Sequence, residues 1–183
     1  MTLHIVFTFD DFSEHFTKAF DVLRSVGIKG VFFIDTASIR GGEEQDLVKE
    51  LAKYHEVGSH SHNHLDLTRL SLEEALCDLL KSKEVLYKLT GKHVRSFAYP
   101  HGSYSNEVVE AVRRARFTMA RTIEIRPPLT EIKDPLKLPV FYHDSLLTNK
   151  RLVYEILRNL LVRRPHTAKL YKIMLIEKAK RVS

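Results

Sequence analysis

Strand-like and helix-like segments alternate along this chain, and this alternation narrows the possible folds more than any other feature. Short apolar runs rich in β-forming residues recur between segments whose apolar residues follow helical spacing. The predicted strands cover residues 4–10, 30–36, 96–100, 117–125 and 135–144, and a further short strand opens the segment 56–64. The predicted helices cover residues 16–26, 44–55, 72–89, 105–116, 149–163 and 167–181. Strands that alternate with helices of this length predict βαβ units and a parallel sheet.

We expect a single α/β domain over residues 1–183, with a motif-bearing part at 3–125 and a helical C-terminal part at 149–183. A chain of 183 residues is long enough for one core and short for two. No linker rich in Pro, Gly or Ser divides it. The sequence Ser-Leu-Glu-Glu, which begins at Ser71, matches a capping box, and Gly91 marks the end of the helix that follows.

The composition is that of an ordinary globular protein, with 44% hydrophobic and 28% charged residues. The apolar runs are too short to span a bilayer, so we expect no membrane span. The first residues lack the basic start and apolar stretch of a signal peptide. The lone Cys77 cannot form an intrachain disulfide, which fits a reducing compartment. We therefore expect a cytoplasmic protein.

The net charge of +6 raises the question of an anionic partner. The excess of basic residues lies late in the chain, mostly on the polar faces of predicted helices. This distribution favours solvated helix faces over an anion-binding surface. No nucleic-acid-binding motif occurs, so we expect no nucleic-acid partner.

Polar residues follow several of the predicted strands. Asp10 and Asp11 follow the first, a histidine-rich loop at 60–64 follows the third, residues 99–102 follow the fourth, and His143 lies near the end of the last. In parallel α/β folds the active site forms at the carboxyl ends of the strands. These residues are therefore candidates for one site.

The histidine-rich loop reads His-Ser-His-Asn-His. Imidazole is the commonest neutral metal ligand in proteins. His60 and His64 are four residues apart, so one helical turn or a tight loop can aim both at one ion. His62, between them, is interpreted as a bystander. Surface histidines or a capping loop are the alternative interpretation of the pattern.

The adjacent acids Asp10 and Asp11 end the first strand. Adjacent side chains diverge, so one carboxylate can bind a metal while the other faces a substrate or its water. A solvated turn or a helix N-cap is the alternative. Combined with the two histidines, one aspartate completes a ligand set that leaves coordination positions for water and substrate.

Three segments together resemble a known family. TFDD at 8–11, HSxxH at 60–64 and FAYPHG at 97–102 have the order and spacing of the first three motifs of the polysaccharide deacetylases, also called NodB-homology or carbohydrate esterase family four enzymes. The resemblance covers at least residues 3 to 125 and is closest to the FAYP-x-G branch.

The resemblance implies a distorted (β/α) barrel of six or seven mainly parallel strands. A complete barrel of this type has seven strands and we count six, so we expect a short or C-terminally truncated member, without its catalytic acid and with an open edge. Because an open edge invites pairing, we expect a homo-oligomer or the terminal helices to cover it.

The resemblance also implies an activity, which is hydrolysis of an N- or O-acetyl group on a sugar or polysaccharide. Asp11, His60 and His64 take the place of the ligands to a divalent ion, zinc first, with cobalt or nickel as alternatives. Asp10 takes the place of the general base.

The remaining implied roles fall on three further residues. The backbone N–H of His101 would help to hold the oxyanion. Ser61 would steady the histidine loop through a hydrogen bond. His143, in LPVFYHD, is the candidate for the general acid.

Several departures from the family pattern leave alternatives open. Ala98 stands where many members have an arginine that orients the base, and His101 replaces the usual aromatic residue. The chain has no Trp, although the fourth motif of the family supplies one beside the sugar. One alternative is a metal-binding relative with little or no catalysis that binds glycans. Another is a carbon–nitrogen hydrolase that acts on a non-sugar amide.

Overall fold

A computed structural model describes residues 5–12, 14–25, 27–125, 132–140 and 173–177. Strands and helices alternate through most of this part of the chain. The strands are β1 Ile5–Phe9, β2 Gly30–Ile34, β3 Glu56–Ser59, β4 Ser96–Ala98, β5 Met119–Ile125, β6 Leu138–Val140 and β7 Ile173–Glu177. The helices are α1 Glu14–Ser25, α2 Gly42–Tyr54, α3 Leu72–Thr90 and α4 Asn106–Arg114.

The strands form one sheet in the order β6-β5-β4-β3-β2-β1-β7, and every pairing is parallel. Cα atoms of the two edge strands, β6 and β7, come within 8 Å of each other. The sheet is therefore curled into a barrel-like shape. The predicted (β/α) barrel with parallel strands is confirmed.

The two faces of the sheet have separate apolar clusters, as the alternation of side chains along a strand requires. Phe7 and Phe32 belong to the larger cluster, which also contains residues of the helices, such as Phe16 and Leu79. Each fully buried side chain of this size contributes about 1.5–3 kcal/mol of hydrophobic free energy. A second cluster contains strand residues alone and lies on the inner face of the barrel; it consists of the buried Val31, Phe33 and Ala98, with the partly buried Val6 packed against them.

The longest helix begins and ends where the sequence predicts. The Ser71 hydroxyl accepts a hydrogen bond from the backbone N–H of Glu74 at 3.2 Å, and the Glu74 carboxylate accepts one from the backbone N–H of Ser71 at 2.8 Å. Gly91 terminates the helix with a φ of 67°, a conformation that glycine adopts without steric cost. The predicted capping box is confirmed.

The predicted helix over residues 167–181 is wrong in its described part, because Ile173–Glu177 form strand β7. Strand β7 pairs with β1, so that Phe7 lies opposite Leu175. A short apolar run fits both a buried strand and a helix, and the strand that decides between them is at the other end of the chain. The count of six strands was therefore one too few.

Some predictions concern other parts of the chain. The predicted helix 149–163 and His143 lie outside the described residues. Of the helices that the structure describes, none has the length and apolar character needed to cross a membrane.

Candidate active site

The loops that follow β1, β3 and β4 lie at the same end of the sheet and carry most of the predicted site residues. Several of these loop residues have a left-handed backbone, which is uncommon for residues other than glycine. They are Asp11 with φ 58°, Ser61 with φ 70°, His64 with φ 53° and His101 with φ 56°. Such a conformation costs on the order of 1–3 kcal/mol and is typical of functional sites.

The structure brings Asp11, His60 and His64 together. One possible ligand atom from each lies within 4.8 Å of the others. Asp11 Oδ1 is 3.6 Å from Nε2 of His60 and 3.0 Å from Nε2 of His64. The two imidazole rings are 4.7 Å apart between centroids. The three side chains therefore face one small volume.

A hydrogen bond on the side of the ring away from Asp11 fixes the orientation of His60. Its Nδ1 lies 2.8 Å from the carbonyl oxygen of Ala98, and since a carbonyl can only accept, Nδ1 is the donor. A neutral ring then has its lone pair on Nε2, the atom that faces Asp11. Bonds of this kind set the tautomer of metal-binding histidines.

The loop that carries His64 is also held locally. Its backbone N–H donates to the Ser61 hydroxyl at 2.9 Å, which is the hydrogen bond expected of Ser61. His62 lies apart from the three-residue set, because its Nδ1 is 2.7 Å from the hydroxyl of Thr36. This contact agrees with the interpretation of His62 as a bystander.

The electrostatics of the set favour a cation. The neighbouring side chains of His60 and then of His64 lower the pKa of Asp11 well below its usual range. Asp11 is therefore ionised at neutral pH. One carboxylate and two imidazoles with open positions fit a divalent ion such as zinc.

Asp10, the other acid of TFDD, points to a different partner. Its Oδ2 accepts a hydrogen bond from the guanidinium of Arg121, on β5. Its Oδ1 is buried and has no hydrogen-bond partner among the described residues. The two adjacent aspartates thus have different partners, because Asp11 lies beside the histidines and Asp10 beside an arginine.

Arg121 is a site residue that the sequence analysis missed. It is 1% exposed, and its guanidinium carbon lies 5.3 Å from the centre of the Phe33 ring inside the barrel. Arg121 is also the β-ladder partner of Ala98. Arg121 is therefore adjacent, on the neighbouring strand, to Ala98, the position at which the family resemblance implies an arginine. The available signal was a positively charged residue in the middle of the predicted strand 117–125.

His101 lies at the edge of the set. Its ring is 4.6 Å from that of His64, and its Nε2 is 3.3 Å from the carbonyl oxygen of His64. The predicted general acid, His143, is outside the described residues, so its position relative to these groups stays a prediction.

Comparisons with known proteins agree with this geometry. The family model for polysaccharide deacetylases matches residues 3–120. The peptidoglycan-N-acetylglucosamine deacetylase PgdA of Listeria monocytogenes is 32% identical over 111 residues, which are 59% of this chain and 23% of that protein. The chain thus covers less than a quarter of the length of that relative.

Two solved structures share the fold at low sequence identity. The deacetylase PplD of Streptococcus pyogenes, in complex with acetate, aligns with a TM-score of 0.69 at 20% identity, over 81% of this chain and 67% of that one. BA3943 of Bacillus anthracis, a family four pseudoenzyme, aligns with a TM-score of 0.69 at 19% identity, over 95% of this chain and 64% of that one. The fold thus occurs both in a deacetylase and in a pseudoenzyme. The family model for polysaccharide deacetylases matches most of this chain. The chain belongs to the polysaccharide deacetylase family.

Proposed function

We propose that this chain is a metal-dependent hydrolase that removes acetyl groups from an N-acetylated or O-acetylated sugar or polysaccharide. The observation that carries the proposal is the presence of two chemical groups at the same end of the sheet. One is the ligand set of Asp11, His60 and His64, and the other is the largely buried carboxylate of Asp10. Hydrolysis of an acetyl group needs both an activated water and a base.

The ligand set supports a divalent ion, with zinc first and cobalt or nickel as alternatives. Asp11, His60 and His64 would hold it, and His60 is already oriented by Ala98. An ion bound there would lower the pKa of a water and polarise the acetyl carbonyl.

Asp10 is proposed as the general base. Its Oδ2 is held by Arg121, and its buried Oδ1 has no other partner among the described residues, so Oδ1 is the atom that would take the proton. A positioned base contributes typically 10²–10⁴-fold to a rate. Arg121 is proposed as a positioning residue that fixes the carboxylate.

The oxyanion and the leaving group need further groups. The backbone N–H of His101, beside His64, is proposed to donate to the oxyanion. His143 is proposed as the general acid that protonates the leaving amine or alcohol.

Two observations keep other functions in view. The absence of Trp leaves open a carbon–nitrogen hydrolase that acts on a non-sugar amide. The similarity to the pseudoenzyme BA3943 supports a metal-binding relative with little catalysis.

The name of PgdA favours N-acetylglucosamine as the first substrate to test. Self-association over a barrel edge also stays a prediction.

The test is metal content and acetate release on the same preparation. Bound metal is counted by mass spectrometry, and acetate release is followed on N-acetylglucosamine oligomers with zinc, cobalt or nickel added. We expect one ion per chain and release of acetate. His60→Ala should lose the ion, whereas the matched control His62→Ala should keep it.

The other outcomes separate the alternatives. An ion without acetate release from sugars would favour the weakly catalytic relative or, if a non-sugar amide is cleaved, the other hydrolase. A protein that binds no ion would overturn the proposed site. If acetate is released, His143→Ala tests the general acid and should lower turnover without loss of the ion.

A further inference from the structure

The loop that carries His60 and His64 rests on a single buried carboxylate behind it. Asp78, on helix α3, is 7% exposed. Its Oδ2 accepts from the backbone N–H of His62 at 2.7 Å. Its Oδ1 accepts from the backbone N–H of Asn63 at 3.1 Å and from the Asn63 side-chain amide at 2.7 Å.

The helix by itself gives no reason for this residue. Aspartate is a poor helix former, and a buried carboxylate is costly unless hydrogen bonds or a cation compensate it. In the described part of the chain no lysine or arginine pairs with Asp78. The three N–H donors of the histidine loop are therefore what compensates its charge.

The hydrogen bonds of Asp78 hold the loop segment that lies between the two proposed metal ligands. His62 and Asn63 lie between His60 and His64, and the backbone of His64 is left-handed. The opposite side of the loop is held too, because the carbonyl oxygen of His62 accepts from the backbone N–H of Ala37 at 2.9 Å. The segment between the two ligands is thus clamped from both sides.

We propose that Asp78 is a positioning residue of the metal site, which sets the separation of the His60 and His64 imidazoles by binding the peptide N–H groups between them. The inference rests on the metal site of the proposed function but does not require that the chain deacetylates sugars. No metal contact is assigned to Asp78. Its effect on the ligands is transmitted by the loop backbone.

The test is the affinity of the purified protein for Zn²⁺ and Co²⁺, measured by competition with a chelator. Asp78→Asn keeps the size of the side chain but replaces one acceptor oxygen by a donor that faces an N–H group. We expect a 10–100-fold rise in the Kd for metal, the usual effect of removing a group that orients a ligand. The absorption spectrum of bound Co²⁺ should shift as well, because the ligand geometry changes.

A second variant and a control make the test decisive. Asp78→Ala introduces alanine, the residue with the highest helix propensity, so α3 should be retained even if Asp78→Asn folds poorly. The Kd for metal should rise in this variant too. Glu74→Ala removes the capping box at the exposed end of the same helix. It should lower stability but leave the Kd for metal unchanged.

Each result decides between distinct conclusions. Folded Asp78 variants that bind metal as tightly as the wild type would overturn the inference and leave Asp78 a structural residue only. Wild-type protein that binds no metal would overturn the proposed function and this inference together. A loss of affinity in both Asp78 variants but not in Glu74→Ala would support it, whether or not acetate is released.

Discussion

Arg121 carries a positive charge into the interior of the barrel, where the Phe33 ring lies against it. Asp10 is its carboxylate partner, and both side chains are largely removed from water. Burying two ions costs several kcal/mol each, and their mutual attraction repays this cost only with good geometry. The pair is thus a poor device for stability. The proposed role of Asp10 as a base accounts for the pair, because a base must be held in a fixed orientation.

Replacement of Arg121 tests this explanation. Arg121→Met leaves Asp10 buried without its cation, and we expect the free energy of unfolding to fall by about 3–5 kcal/mol. The double variant Asp10→Asn/Arg121→Met removes both charges and should recover part of that loss. Urea unfolding of both variants measures the difference. Equal or greater destabilisation of the double variant would contradict the account.

The same pair shows which part of the site the sequence could predict. Asp11, His60 and His64 lie in two short motifs, and their chemistry is visible in the local pattern. Arg121 is 111 residues from Asp10 along the chain. Asp10 follows β1 and Arg121 lies on β5, and three strands separate β1 from β5 in the sheet. Only the curling of the sheet into a barrel brings the two side chains together, and no local pattern contains that information.

A histidine, His55, is buried at the junction between α2 and β3. His55 follows the last residue of α2 and packs against the rings of Phe20 and Phe32, with centroid distances of 5.4 and 5.1 Å. Its Nδ1 accepts from the backbone N–H of Gly30 at 3.3 Å. Burial is the main cause that lowers the pKa of His55 below its ordinary value of 6.5.

This lowered pKa predicts how stability depends on pH. The unfolded chain binds a proton at His55 near pH 6.5, whereas the folded chain binds it only at lower pH. The unfolded state therefore holds more protons in this window, so stability is present above about pH 6.5 and is lost as the pH falls through the folded pKa.

Urea unfolding of the wild type and of His55→Gln across this pH range measures the effect. The free energy of unfolding of the wild type should fall more steeply with decreasing pH than that of the variant. Parallel curves would show that His55 does not titrate differently in the two states.

Strand β3 also depends on a close approach inside the barrel. A Cβ atom added at Gly58 would lie 2.4 Å from Cδ1 of Phe33 and 2.9 Å from the hydroxyl of Ser96. Because the Phe33 ring is in turn close to Arg121, the ring cannot move without disturbing the buried pair. The absence of a side chain at position 58 is therefore a packing requirement.

Gly58→Ala should accordingly lower the free energy of unfolding by about 1–3 kcal/mol through overpacking. The second substitution Phe33→Leu removes part of the ring and should relieve the strain in the double variant. Thermal or urea unfolding of the single and double variants checks this. Simple additivity of the two losses would exclude the proposed clash.

At the scale of the whole molecule, local patterns were sufficient for most of the barrel and insufficient for its closure. The alternation between strand-like and helix-like spacing of apolar residues predicts β1, β2, β4 and the helices between them, because the type of each of these elements follows from its own residues. Strand β7 was predicted as a helix, because its identity depends on pairing with β1 at the far end of the chain. Non-local pairing is the part of a fold that a local reading of sequence misses.

The most direct test of the account is bound metal in Asp10→Asn beside Asp11→Asn, with acetate release measured on the same samples. Asp10→Asn should bind one ion like the wild type and lose turnover by about 10²–10⁴-fold, because the base is gone but the ligands remain. Asp11→Asn should lose the ion and the activity together. Equal loss of metal in both variants would contradict the division between a ligand aspartate and a base aspartate.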